Sequence, residues 1–182
     1  MTSRFFSGGR ISDVALSNID IKNILPKITK KSWSVYKYSD LTPDMRLPFY
    51  SILLYQYPNQ IGHWVLIKCD DNKELLYFFD PYGLRVDSQW SYLENPMMEH
   101  EPRHVLSEII HRYVTVDDYH FSYNIYNIQG TIRNGSIRDS ECGEICLLRI
   151  IYSKLSDKNF YKLCQKLGGH KIFDIIKKID EL

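Results

Sequence analysis

Four side chains in this sequence can together supply the roles that thiol acyl-transfer chemistry requires: His63, Asp80, Gln129 and Cys142. A cysteine attacks as its thiolate, so it needs a base to take or hold its proton. The base needs a carboxylate that fixes its tautomer and favours the imidazolium. The tetrahedral oxyanion needs N–H donors aimed at it. Cys142 stands in Asp139-Ser140-Glu141-Cys142-Gly143-Glu144-Ile145-Cys146, where polar residues run into a thiol and then into an apolar segment. Asp139 or Ser140 is expected to cap a helix there. Cys142 then sits in the first turn, where the partial positive charge of a helix N-terminus favours a thiolate. Gly143 has no Cβ, so a substrate carbonyl could approach the backbone N–H groups beside it. Read as packing alone, Cys142 is a small apolar residue at the start of a core helix.

His63 and Asp80 come together if two apolar segments form a hairpin. Residues 62–69 and 74–80 read as strands, and Asp70-Asp71-Asn72-Lys73 between them is turn chemistry. A turn centred between Asp71 and Asn72 sets His63 directly opposite Asp80, with Cβ atoms roughly 5 Å apart. An Asp at the end of an apolar strand requires a partner, and His63 is the one this register offers. A one-residue slip or a bulge breaks the pair. Gln129 is expected at the end of a strand over 121–128, followed by a polar loop over 130–138. A helix from about 142 to 154, apolar nearly all round, belongs at the centre of the fold rather than on its surface.

The remaining segments frame these. Residues 1–16 read as an irregular arm. Ser17-Asn18-Ile19-Asp20 opens a short helix with Ile21, Ile24 and Leu25 on one face and Pro26 closing it. Residues 33–38 and 49–57 are extended, with a turn over 40–44. Residues 84–104 form a loop with some helix, and Val105, Ile109, Ile110 and Tyr113 have helical spacing. Phe160, Leu163, Cys164 and Leu167 make a helix that Gly168-Gly169 stops, and Ile172 to Ile179 make the last one. The reading is one domain over 1–182, with 155–182 as its C-terminal helices.

At 182 residues and 44% hydrophobic content the chain can bury a core of its own. A net charge of +1 excludes an overall field of the kind that marks nucleic-acid binders, and Lys27, Lys30 and Lys31 read as a solvated face. The N-terminal residues lack the apolar core of a secretory signal, and no apolar run reaches membrane-spanning length. A protein that is not secreted keeps its cysteines reduced, so Cys69, Cys146 and Cys164 are expected as core thiols. Trp64 is expected to pack, or to shield the His63–Asp80 bond from water. A zinc site from Cys142, Cys146 and His63 lacks paired spacing and a fourth ligand, so no cofactor or metal is expected.

The order of these pieces resembles a known family. Gly62-His63-Trp64-Val65-Leu66, then Phe78-Phe79-Asp80-Pro81-Tyr82-Gly83, then Ile128-Gln129-Gly130 ahead of Glu141-Cys142-Gly143, is similar to the adenovirus maturation protease and the related SUMO proteases. The resemblance covers roughly residues 60–150. It implies an α+β, papain-like cysteine protease fold of the adenovirus type, with a mostly antiparallel sheet carrying His63 and Asp80. It implies Cys142 as nucleophile, His63 as base, Asp80 as its orienter and Gln129 as oxyanion donor. In that family the Gln lies closer to the Cys than the thirteen residues found here, so the loop carries an insertion and Asn134 is the alternative donor. The small size looks most like the capsid-maturation proteases of virophages and large DNA viruses. The implied substrate is a viral structural precursor, cut at Gly-containing sites in the virion, the host cytoplasm or a virus factory. A DNA or peptide activator belongs to the adenovirus relative, but the sequence shows no basic stripe. The expected state is a monomer with no membrane partner. Alternatives within the same fold are a deubiquitinase- or deSUMOylase-like isopeptidase and an acetyltransferase effector. A silent interaction module is the alternative outside enzymes.

Overall fold

The computed structural model describes residues 15–56, 62–88, 104–132 and 141–182. Five strands form one mixed sheet in the order β1 (Trp33–Lys37), β2 (Tyr50–Gln56), β3 (Gly62–Asp70), β4 (Leu75–Phe79) and β5 (His120–Tyr123). The central pairs β2–β3 and β3–β4 are antiparallel, whereas the outer pairs β1–β2 and β4–β5 are parallel. The expected mostly antiparallel sheet is therefore mixed. The reason is connectivity: the chain between β1 and β2, and again between β4 and β5, crosses one face before re-entering the sheet, and a crossover makes neighbours parallel. The architecture is α+β.

Alternation along the strands fills two cores. On one face, Tyr50, Ile52, Trp64, Leu66 and Phe79 pack against α1 (Asn18–Ile28), α3 (Ile128–Ile132), α4 (Cys142–Ile151) and α5 (Asp157–Asp180). On the other, Leu53, Tyr55, Val65, Ile67, Leu76 and Phe78 pack against α2 (Val105–Thr115). This period of two is what a strand buried on both sides imposes. The α4 helix is buried from Cys142 through Ile150, as its apolar sequence requires. Among the described residues no helix is long and apolar enough to cross a membrane.

Local chemistry sets most boundaries. Ser17 caps α1 through a reciprocal capping box with Asp20. Pro26 does not close α1, which runs one more half-turn to Ile28. The two expected C-terminal helices appear as α5, kinked at Gly168 with φ 70° and ψ 165°. The segment expected as a strand over 121–128 is shorter: β5 ends at Tyr123 and Gln129 lies inside α3. The hairpin between β3 and β4 turns through a 3₁₀ turn, Asp71–Lys73, with Glu74 left-handed at φ 47°. That longer turn shifts the register, so Leu66 faces Phe79 and Asp70 faces Leu75. Continued past the last pair, it carries His63 toward Tyr82 rather than Asp80, two residues from the expected pairing.

Gly83 and Gly168 share φ 70°, but their surroundings differ. A Cβ on Gly83 would lie 2.8 Å from the backbone carbons of Ile125 and Tyr126, whereas a Cβ on Gly168 meets nothing within 4 Å. Gly168→Ala should cost only the backbone strain of φ 70°, ψ 165°, about 1–3 kcal/mol. Gly83→Ala should cost more, because the turn after Asp80 must also move away from its neighbour. Urea denaturation of both variants checks the order, and equal losses would refute the close-approach account.

Candidate active site

The site begins where β3 and β4 part. Their ladder ends at Leu66 and Phe79, so residues 62–65 of β3 pair only with β2. A backbone that loses its partner strand in a buried place must find other hydrogen bonds. Here α4 supplies them. The Trp64 N–H donates to Cys142 Sγ at 3.4 Å, and the Cys146 thiol donates to the Trp64 carbonyl at 3.5 Å. Two thiols one helical turn apart thus bracket one strand residue. Cys146, expected only to fill the core, also makes a specific bond.

Close approach of α4 to β3 explains Gly143. A Cβ there would stand 3.2 Å from both Leu16 Cβ and the Trp64 ring. Gly143 therefore lets the helix seat against Trp64 and Leu16. Trp64 also ties down the end of the N-terminal segment, since its Nε1–H donates to the Leu16 carbonyl at 3.0 Å. Glu141 occupies the cap position of α4 without a side-chain cap bond. Asp139, Ser140 and Asn134 lie outside the described residues. Cys142 is the first helical residue, so its N–H and those of the rest of the first turn have no intrahelical acceptor.

His63 and Asp80 meet across the parted strands. His63 Nε2 lies 3.1 Å from Asp80 Oδ1, and both side chains are buried. The pair survives the register shift because two residues is the side-chain period of a strand, which keeps Asp80 on the His63 face. Tyr82, in the turn after Asp80, brings its ring centroid to 5.1 Å from the imidazole. Burial works against a charged imidazole. Hydrogen bonds to Asp80 and to the Cys142 side chain override it and raise the His63 pKa to about 9. Nε2 is thus committed to the carboxylate, which leaves Nδ1 as the nitrogen for the thiol.

Asp80 is held by its own backbone. The Asn124 amide accepts from Asp80 N–H at 2.7 Å and donates to the Asp80 carbonyl at 2.8 Å. Tyr82 N–H donates to Asp80 Oδ1 at 2.7 Å, and Gly83 N–H closes the turn on the Asp80 carbonyl at 2.8 Å. Asn124 is fully buried and was not singled out from the sequence. Its signal was an Asn inside an alternating apolar pattern, where strands disfavour that residue. Tyr55, the β2 partner of His63, is steadied from behind by a bond to the buried Asp87, which also accepts from Tyr38 and Ser107.

Gln129 arrives by a different route from the expected strand end. The N–H groups of Ile128 and Gln129 both donate to the Pro81 carbonyl, at 2.9 and 3.0 Å. The first turn of α3 is thus pinned to the residue that follows Asp80. The Gln129 side chain is buried, and its Oε1 has no hydrogen-bond partner among the described residues. An unpaired buried amide oxygen is costly, and a structural role offers no return for it.

The remaining thiols are chemically quiet. Burial pushes Cys164 up to about 12; burial and a bond to Asp71 do the same for Cys69. Burial holds Cys146 well above its ordinary value, with the charges of Cys142 and Asp80 adding to it. Among the described residues no three His, Cys, Asp or Glu side chains are grouped to hold a metal, so the zinc alternative finds no ligand set there. The arrangement can keep a proton on His63 between a sulfur and a carboxylate. No family model and no curated protein matches the chain.

A raised His63 pKa has a stability consequence with a definite sign. Its contribution is fully present below the unfolded value of 6.5 and is lost as the pH rises through about 9. The stability difference between wild type and His63→Gln should therefore shrink between those pH values. Cys142→Ala removes two upward contributions and should move the His63 titration to lower pH. Ring-nitrogen NMR titration of both proteins reads this directly; an unchanged titration would show that the sulfur does not bear on the imidazole.

Proposed function

We propose that the protein is a cysteine peptidase in which Cys142 is the nucleophile, His63 the acid–base group and Asp80 its orienter. The observation that carries this reading is the buried His63–Asp80 bond beside a thiol at the first position of a buried helix. The Cys142 sulfur attacks the scissile carbonyl and forms a thioester through a tetrahedral oxyanion. His63 gives its proton to the leaving amine, then takes one from the water that hydrolyses the thioester. Asp80 keeps Nε2 occupied and stabilises the imidazolium that precedes the first of these transfers and forms again in the second. The free N–H groups of the first turn of α4 and the Gln129 amide are the proposed oxyanion donors.

The proposed fold type is papain-like, of the adenovirus protease kind. What supports it is a thiol-bearing helix packed on a sheet whose parted strands carry the base and its acid. The proposed substrate is an extended, Gly-containing segment of a viral structural precursor, cut during virion maturation in the host cell. A backbone without a Cβ passes a narrow channel more easily than a side chain, and an extended segment can add main-chain hydrogen bonds upstream of the cut.

The test is turnover of candidate structural precursors, with the new termini mapped. Cys142→Ala and His63→Ala should each remove essentially all cleavage, because the two act as a unit. Cys146→Ser keeps the donor to Trp64 and should retain activity. Asp80→Ala should lose less than either, and Gln129→Ala should lower kcat by ~10²-fold or more. Full activity in Cys142→Ala would overturn the assignment. Gly→Val beside the mapped cut should depress kcat/KM, and an unchanged value would remove the narrow-channel account. Labelling of Cys142 by a ubiquitin-like vinyl-sulfone probe would redirect the substrate toward an isopeptide.

A further inference from the structure

The chain carries a net charge of only +1, yet five lysines gather on one cleft of about 1060 Å³. Lys30 and Lys31 follow α1, Lys68 comes from β3, Lys73 from the hairpin turn and Lys154 from the segment after α4. Asp70 is the single acidic side chain lining it. Lys68 Nζ lies 3.7 Å from Asp70. The other four lysines have no ion-pair partner among the described residues. The ammonium groups of Lys31 and Lys68 lie 4.8 and 5.3 Å from the centre of the same Phe49 ring. Burial lowers the Lys68 pKa; Asp70 opposes that, and the charges of Lys73 and Arg149 add to it. Beside the cleft, a recess of 140 Å³ shares Lys68 and Ser153 and adds Arg149. Arg149 is 7% exposed, and its Nε has no acceptor among the described residues.

A plain solvated face, or lysines placed to complement helix C-termini, is the simpler account. Against the helix-terminus account for Lys154 stands Arg149, which already brings a cation to the Tyr152 and Leu155 carbonyls after α4. Lys27, from the same basic run, bonds to the Asp180 carbonyl. What remains is a set of like charges drawn from separate elements into one concavity, where they repel one another and one carboxylate offsets them. Lys30, Lys31, Lys73 and Lys154 are exposed, so solvent screens part of this repulsion, and a multivalent anion would relieve the rest.

We propose that this cleft binds a compact polyphosphate group, three or more linked phosphates, carried either by an inorganic chain or by a nucleoside triphosphate. Lysine ammonium groups are point-charge donors suited to phosphate oxygens. The concavity favours a short flexible anion over a duplex, whose phosphates lie on a convex rod. The site stands at the far end of α4 from Cys142, about 15 Å away for ten residues of helix. It is therefore separate from the thiol, and its test does not depend on peptidase activity.

The experiment is calorimetric titration and thermal melting of the full chain with sodium tripolyphosphate, metal-free ATP, orthophosphate and a short DNA duplex. Tripolyphosphate should bind at one site, raise the Tm by several degrees at saturation and lose affinity with added salt. The pair Lys31→Glu and Lys154→Glu should weaken binding at least tenfold, while Lys158→Glu with Lys162→Glu on the exposed side of α5 should not. If the charge-reversed pair does not fold, Lys31→Gln and Lys68→Gln, made singly, should each weaken binding at least threefold. Tighter binding of ATP than of tripolyphosphate assigns a nucleoside triphosphate as the source, and the reverse assigns the bare chain. Orthophosphate binding as tightly as tripolyphosphate, duplex binding more tightly, or equal losses in both charge-reversed pairs would each overturn the proposal.

Discussion

The parting of β3 from β4 after Leu66 and Phe79 is the constraint on which the site depends. Opening an antiparallel pair in the middle of a protein exposes a strand backbone that has no water to bond with. In this fold the first turns of α4 fill the gap, and Cys142 and Cys146 bond to the two backbone groups of Trp64. That solution forces the helix close to the strand. It demands Gly143 where the helix meets Trp64 and Leu16, and it buries nine successive residues of α4. The thiol's position is thus a by-product of closing a hole in the sheet, and it is held by the core rather than by a loop.

The same opening gives His63 its chemistry. With β4 turned aside, Asp80 stands at the mouth of the gap instead of inside the ladder. A fully buried carboxylate needs donors, and it takes them from His63 and from the Tyr82 N–H. Asn124 and Gly83 lock the Asp80 backbone from either side. A rigid carboxylate in a dry place favours a protonated partner strongly enough to override the burial of the imidazole. Precision at the site therefore comes from the residues around it: Asn124 for the acid, Leu16 and Trp64 for the helix, and Pro81 for the arrival of Gln129.

The two ends of α4 are made for opposite charges. At the N-terminus, free N–H groups and His63 surround a sulfur. At the C-terminus, Arg149 stacks among Tyr77, Phe79 and Phe160 and bonds to the Tyr152 and Leu155 carbonyls just beyond the helix and to Asp157. Its guanidinium anchors the helix end against α5 through aromatic faces, which suits a planar cation better than a lysine ammonium. The cleft lined by lysines opens beyond this anchor. One buried helix thereby separates the thiol from the lysine-lined cleft.

Periodicity and residue type alone determined much of this protein. The apolar run after Cys142 required a central helix, the apolar runs around His63 and Asp80 with turn residues between them required two neighbouring strands, and Gly168-Gly169 required a break in the last helix. Those are local properties, set by side-chain spacing and backbone freedom, and they placed His63, Asp80 and Cys142 as candidates. The partnership of His63 with Asp80 was legible because strand parity survives a two-residue error in register. The register itself was not, because it depended on the 3₁₀ turn and the left-handed Glu74. Nor were the parallel outer strands, the helix that carries Gln129, the locking role of Asn124 or the gathering of lysines from four separate segments. Each of these depends on which distant segments become neighbours, and the spacing of one segment holds no record of the backbone atoms another will present to it.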